Sequence, residues 1–500
     1  MIRLAGIIPF FVAISLAGAF LISIFGKKIK RLPDIIGILT TFILCSLSFL
    51  TVAMVNTGGA FSYSVGAWQP PFGIEVTLDG LTSFMLVTIN LVAFIIVIYS
   101  IDYMERFTSK WQFYTLFLLM LGGMNGVVIT GDIFNLFVFL EIASVASYAL
   151  VAFGTEKHEL EAAFKYAIMS TVGSLFLLLG IGFLYSYTST LNMADMARIL
   201  SEKGTANIIL LTSILFIMGF GLKAALVPFH AWLPDAHPSA PAPISAMLSG
   251  VLIKSLGIYT LCRIFYNIFG ISSDISLIFM ALGALSMVIG VFLAIGQWDF
   301  KRLLAYHSIS QIGYVFLGIG LGTPLGMLGG LFHLFNHSIF KSLLFLNSGA
   351  IEYSTGTRDL KEMGGLSAKM PFTSTTSLIA SMSIAGIPPF NGFWSKLIII
   401  IAAVEAGRYG YAFWAVLASI MTLASFMKVM KYAFFGRLKE KFSGLKEVPV
   451  FMKLSMCALA LICLAGGILL VPGLNEIFIK QASDAVLKGV AHAVTVLKGI

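Results

Sequence analysis

Apolar runs of about 18–25 residues or longer recur along the whole chain, separated by short polar or glycine- and proline-containing links. The pattern predicts fourteen spans, near residues 4–25, 33–56, 80–101, 112–130, 133–153, 161–187, 206–230, 241–268, 274–296, 302–322, 325–349, 372–404, 411–435 and 450–472. Two are irregular. The seventh runs apolar through "NIILLTSILFIM", then meets Lys223 and, five residues on, Pro228. The twelfth reads "SIAGIPPFNGFWSKLIII", with Pro388 and Pro389 in its middle. A mid-helix proline removes a backbone hydrogen bond and clashes with the preceding turn, so both spans are expected to be broken helices. Between spans two and three, residues 61–79 alternate and turn at Pro70-Pro71, which predicts a β-hairpin on one membrane face. After Pro472 the helical spacing of apolar residues, with Lys480, Lys488 and Lys498, predicts an amphipathic surface segment.

An internal repeat is visible at the two breaks. "VPFHAW" (227–232) matches "PPFNGF" (388–393) in its Pro-Phe-polar-small-aromatic order. The two lie five spans apart, an odd number, so the copies enter the membrane from opposite sides. This is the inverted arrangement of secondary transporters, which place broken helices at the ion path. The expected architecture is an all-α polytopic membrane protein in four parts: helices 1–3 with the hairpin (1–111), a first five-helix repeat (112–268), a second (269–435), and helix 14 with the amphipathic segment (436–500).

Composition agrees. The 500 residues are 58% hydrophobic and 11% charged, with a mean hydropathy of +0.96; soluble domains carry about 25% charged residues. The first span lacks a basic leader and a small-residue cleavage site, and reads as a retained helix. Cys45, Cys262, Cys457 and Cys463 sit in apolar runs at no ligand spacing, which predicts buried thiols. No haem, iron–sulfur or zinc pattern appears, so neither a cofactor nor a metal is expected.

The net charge of +9 reads as topology, not as nucleic-acid binding. Of 32 basic residues, 20 fall on the links after odd-numbered spans, including Lys27, Lys28, Lys30 and Arg31; eight fall on the other side. By the positive-inside rule the first set faces the cytoplasm and both termini face outward, in a prokaryotic plasma membrane. The remaining four, Lys223, Lys254, Lys341 and Lys396, lie within spans, and Glu141 is the acid nearest a span centre. A charge there costs about 2.5–3.5 kcal/mol on insertion scales.

Each such group could be a structural ion pair or a snorkelling side chain. Lys254 is poorly placed to snorkel, being 13 residues from Pro241 and 14 from Ile268. His333, His337 and Lys341 are spaced i, i+4 and i+8 on one helix face, and histidine titrates near neutral pH. His230, His237, His307 and Gln311 are supporting polar candidates. A carboxylate moving toward or away from a buried lysine would make it take or release a proton. The proline beside Lys223 is expected to free carbonyls that water can solvate.

At these residues the chain resembles a known family, the antiporter-like subunits shared by respiratory complex I, Mrp-type cation/proton antiporters and membrane-bound hydrogenases. The resemblance covers essentially the whole chain and is carried by "LKAALVPFHAWLPDAHPSAPAPISAMLSGVLIKSLGIY", "DFKRLLAYHSISQIGY", "HSIFKSLLFLNSGAI" and "AGIPPFNGFWSK". It implies a glutamate on span five (Glu141 in "NLFVFLEIASVASYAL"), the broken-helix Lys223, a linking Lys254, the His333–His337–Lys341 group, and a terminal Lys396. These would form one proton path. The Mrp D-type subunit is the nearest type, since the longest complex I member continues into a lateral helix. The implied partners are further membrane subunits, antiporter-like ones among them, and a peripheral hydrogenase or oxidoreductase arm that would hold any redox centre. A stand-alone cation/proton carrier is the competing expectation, and a membrane scaffold with a dead ion path is a third.

Overall fold

The computed structural model describes residues 5–203 and 206–497. Every predicted apolar run is helical. In chain order these are α1 (Phe10–Phe25), α2 (Leu32–Gly58), the strands β1 (Phe61–Ser64) and β2 (Glu75–Leu78), α3 (Gly80–Tyr103), α4 (Lys110–Ile129) and α5 (Ile133–Val151). Then come α6 (Lys157–Thr188), α7 (Met193–Lys203), α8 (Ala206–Lys223), α9 (Leu233–Ser239), α10 (Ala242–Ile268), α11 (Ser273–Ile295) and α12 (Phe300–Gly320). The last are α13 (Pro324–Thr355), α14 (Pro371–Ala385), α15 (Asn391–Glu405), α16 (Tyr409–Phe434), α17 (Val450–Leu470), α18 (Ile479–Leu487) and α19 (Ala491–Leu497). Among the described residues, ten helices are long and apolar enough to cross a membrane, and α1 and α8 are shorter apolar helices. In α13 and the α14/α15 pair, polar side chains or a break interrupt the apolar run.

Several short links end in a residue that caps the next helix. Asp79, Asp132 and Asp299 accept from the backbone N–H groups of Thr82, Asn135 and Arg302 at 2.8, 2.7 and 2.9 Å. Such caps satisfy donors that the first helical turn leaves free. The hairpin forms as expected, antiparallel, with Phe61 opposite Leu78.

The helices divide into a buried core and a rim. The apolar window of α10 is 100% buried and that of α12 94%, against 33–39% for α2, α6, α16 and α17. Small residues let the core helices approach closely. A Cβ on Gly290 of α11 would lie 2.6 Å from Ser310 N of α12, the close contact by which helices associate without a hydrophobic drive between them. The core helix α10 is itself irregular, with π-helical stretches at Leu248–Leu252, Lys254–Tyr259 and Arg263–Ile268.

The helix of the first span runs from Phe10, with turn residues at 6–9 before it. Three expectations need correction. The seventh span does not end near 230: it resumes as α9, so "LPDAHPS" belongs to the broken helix and not to a link. The amphipathic helix α7 was unforeseen. Arg263, counted with the outward links, is only 6% exposed and pairs with Asp79 at 2.5 Å.

The segment after Pro472 is amphipathic as expected, but it packs on protein as well as lying at the surface. Asn267 donates to Ala485 O at 3.0 Å, and Gln481 donates to Asn56 Oδ1 at 2.5 Å. His492 Nε2 lies 3.2 Å from Asp79, and burial holds its imidazole down to about 4, with the Asp79 carboxylate opposing that shift. Lys498 lies outside the described residues. Cys45, Cys262 and Cys463 are buried free thiols, and Cys457 is half-buried.

Candidate functional site

Glu141 projects from the middle of α5, and Lys223 is the last residue of α8. The Lys223 Nζ lies 2.6 Å from Ser170 Oγ, 3.0 Å from Ser144 Oγ and 3.3 Å from Glu141 Oε1. An ammonium has three protons to donate, and these oxygens receive them. Ser174 donates to the same carboxylate oxygen. The lysine side chain is 2% exposed, the glutamate 30%, so the lysine is enclosed while its partner reaches the outer surface of the helix bundle.

The break that follows spans residues 224–232 and contains Pro228, with Ala225 at φ +54°. Three carbonyls of the turn before it are taken up by protein donors. Trp232 Nε1 donates to Leu222 O at 3.0 Å, and Ala224 and Leu226 N–H groups take up Phe220 O and Gly221 O. The Trp232 ring stacks on Tyr166 at 4.1 Å, so the break is clipped in one geometry. The second break, with Pro388 and Pro389, lies between α14 and α15. There Lys396 reaches back to donate to Ile384 O at 2.7 Å, in the last turn of α14. The two lysines thus hold opposite halves of their broken helices.

Lys254 sits between, fully buried on α10. Its Nζ donates to Gly250 O at 2.6 Å and to Ser249 O, carbonyls of its own helix. The π-helical stretches around it open the regular ladder there, which is a common form of functional irregularity. α10 packs here against α13: a Cβ on Gly250 would lie 3.5 Å from Ser338 O, next to His337. The His333 and His337 imidazoles stack with centroids 6.4 Å apart and planes 7° apart. His333 Nδ1 pairs with Ser395 Oγ at 2.9 Å, and its ring lies 5.5 Å from Tyr314. Lys396 Nζ lies 4.7 Å above the same Tyr314 ring. Among the described residues, both His337 nitrogens and Lys341 Nζ have no protein hydrogen-bond partner.

The structure places Lys223, Lys254, His333, His337, Lys341 and Lys396 in the buried core, with Glu141 paired to Lys223. Of the supporting candidates, His307 is buried and pairs with Ser425 at 2.8 Å, and Gln311 is buried beside it on α12. His237 is fully buried on α9, whereas His230 stays partly exposed in the break. Sequence reasoning missed Ser144, Ser170 and Ser174, which solvate the Glu141–Lys223 pair. The i, i+4 spacing of Ser170 and Ser174 in an apolar run was the available signal. It also missed Tyr314, whose ring joins His333 to Lys396. Replacing His337 with alanine should lower proton-coupled transport about tenfold or more without loss of assembly, since the ring makes no hydrogen bond to protein. Ion flux and complex content measured on one preparation check this; a wild-type rate removes His337 from the path.

Two family descriptions match this chain. Residues 130–422 match "NADH:quinone oxidoreductase/Mrp antiporter, TM", and residues 63–114 match "NADH-Ubiquinone oxidoreductase (complex I), chain 5 N-terminus". The chain belongs to the NADH:quinone oxidoreductase/Mrp antiporter transmembrane family. Among family members, the D-type subunit of the Na(+)/H(+) antiporter of Alkalihalophilus pseudofirmus is 36% identical over 435 residues, 87% of each chain. The N-type subunit of the NADH-quinone oxidoreductase of Desulforudis audaxviator is 36% identical over 442 residues, 87% of this chain and 86% of the other. In solved structures, a chain of the Mrp complex from Dietzia sp. superposes with a TM-score of 0.90 at 28% identity, covering 99% of both chains. A chain of the archaeal membrane-bound sulfane sulfur reductase gives 0.90 at 29%, covering 98% and 99%.

Proposed function

We propose that this chain is the proton-translocating membrane subunit of a multi-subunit ion-pumping complex. The observation that carries the reading is the Glu141–Lys223 pair, with its enclosed lysine and outward carboxylate, in a core that also buries Lys254, Lys341, His337, His333 and Lys396. Proton movement along this axis needs groups that change charge near neutral pH; desolvation moves a lysine toward that range, and the ordinary histidine value already lies there.

Membership of a larger assembly is supported by the surface around Glu141. Phe134, Val138 and Val145, on the same side of α5, are 44%, 38% and 59% exposed. A carboxylate facing lipid at mid-span is costly, and a neighbouring subunit would cover it. Relatives at equal identity come from an antiporter and from a quinone oxidoreductase. The axis is then the part such assemblies share, with the energy source held by other chains. The assembled complex should transport protons in reconstituted vesicles, and the purified single chain should not. Full activity of the single polypeptide would identify a stand-alone carrier.

The topology proposed is fourteen crossings, in two five-helix units (112–268 and 269–435) related by inversion, with both termini external. The pairing of broken helices α8/α9 and α14/α15 supports the inversion, and the 20-to-8 bias of basic residues supports the orientation. A Lys28→Cys variant should react with an impermeant thiol reagent only from the cytoplasmic face; reaction from outside reverses the topology.

A further inference from the structure

We propose that Glu352 and Lys301 form the proton inlet to this axis, with His237 as the next station toward Lys341. The inference rests on the proton-transfer reading above.

The pair repeats the construction of Glu141 and Lys223. Lys301 Nζ lies 2.9 Å from Glu352 Oε2, with side chains 2% and 25% exposed. The corresponding values for Lys223 and Glu141 are 3.3 Å, 2% and 30%. In both, an enclosed lysine faces a carboxylate that touches the outside. The two pairs also bracket the same broken helix. Lys223 ends α8, and Lys301 donates at 3.1 Å to Ala240 O, just beyond the end of α9.

The inlet faces the side that carries the 296–299 and 356–370 links. Glu352 stands eleven residues past Lys341 on α13, which is close to three turns, or about 16 Å along the same face. Between them, Ser348 Oγ and Asn347 Nδ2 are buried with no protein partner. His237 is fully buried, and neither ring nitrogen has a protein partner. Its ring centroid lies 4.7 Å from that of Phe345, and Lys341 Nζ lies 5.6 Å from the same phenyl centroid. Phe345 is thus the apolar plate between the inlet and the axis, and movement of one ring would open or close the step.

The charges around the route are defined. Glu352 is faced by Lys301 of α12, by Arg358 at 3.7 Å and by the more distant Arg106, with the Tyr99 and Tyr103 hydroxyls of α3 nearby. His237 is faced by Lys341, Lys254 and Lys301. A proton taken by the Glu352 carboxylate passes to the Lys301 amine, then to an imidazole nitrogen of His237, then to the Lys341 amine. Each transfer moves one proton to one lone pair and changes no other bond. Arg358 donates to Pro238 O and pairs with Asp299 at 3.3 Å, which ties the links together and gives that residue a structural role of its own.

The test uses the whole complex in vesicles of both orientations, with pH varied on one face at a time. Glu352→Gln should raise the proton concentration for half-maximal transport about tenfold on the inlet face, with no shift on the opposite face. Glu352→Asp, which keeps a carboxylate one methylene farther back, should recover most of the loss. Glu352→Gln combined with Lys301→Met leaves no unpaired buried charge and should show the same one-sided shift. A wild-type profile in the double variant overturns the inlet. So does an equal loss at every pH that Glu352→Asp does not relieve, the mark of a structural pin. Lys223→Ala separates the two readings. Its inactivity beside wild-type Glu352 variants refutes the inlet alone, and its full activity refutes the proton-transfer function.

Discussion

Replacing Lys223 with arginine should lower proton-coupled transport by the assembled complex about 100-fold or more, although the positive charge is kept. Arginine does not release its proton in proteins. Among the described residues the Lys223 ammonium is met by Ser144, Ser170 and Glu141, inside the bundle, so its charge depends on the position of one carboxylate. That carboxylate is the exposed partner and the one free to move. Energetically the device is adequate. A change of one pKa unit is about 1.4 kcal/mol, and a membrane potential opposes a proton by about 2.3 kcal/mol per 100 mV. A swing of about two units between the paired and unpaired states therefore carries a proton against a typical potential. Glu141→Gln should be as damaging as the arginine variant. Glu141→Asp should keep part of the activity, because the charge survives one methylene farther back. A structural ion pair predicts the opposite pattern: arginine tolerated, and Glu141→Gln losing assembly because a buried charge loses its partner. Proton flux and intact complex, measured together, decide between them; full pumping by Lys223→Arg leaves the pair as structural glue.

The second large effect is expected at Lys254. Lys254→Met should block transport about 100-fold while the complex still assembles. Methionine is of similar length and apolar, and it removes an ammonium that no carboxylate compensates among the described residues. The change leaves Ser249 O and Gly250 O without their donor, a cost of about 1–3 kcal/mol each. It also removes the desolvation penalty of a buried charge, several kcal/mol. The two roughly offset, so the melting temperature should stay near that of wild type while flux collapses. Retained flux with a large fall in melting temperature would make Lys254 a structural residue of α10. Among the described residues, Lys254 hydrogen-bonds only to carbonyls of its own helix, so its loss disturbs little else.

Much of this site was legible before the fold. A charge in an apolar run is expensive, so Glu141, Lys223, Lys254, Lys341 and Lys396 stand out by position alone. The i, i+4 rule puts His333, His337 and Lys341 on one face of α13 with no tertiary information. The prolines marked both breaks. Apolar period and length gave the helices, and alternation with a Pro-Pro turn gave the hairpin.

Other features depended on groups far apart in sequence. Lys301 and Glu352 lie at link edges and read as ordinary topology charges; only the packing of α12 against α13 and α9 encloses the lysine. Arg263 looked like an outward link residue, yet it is buried because Asp79, 184 positions away, supplies its counter-charge. His237 was assigned to a link, since nothing local says that the helix resumes after Trp232. The serines around Lys223 and the Tyr314 ring between His333 and Lys396 are invisible to pattern reading, because small polar and aromatic residues carry no penalty that singles them out. Local sequence determined where the chain is helical, where it breaks and which charges are costly, because those are properties of one segment in lipid. The tertiary structure decided which costly charges are paired, which are enclosed and which reach the surface, because pairing and burial depend on the helices that close around them.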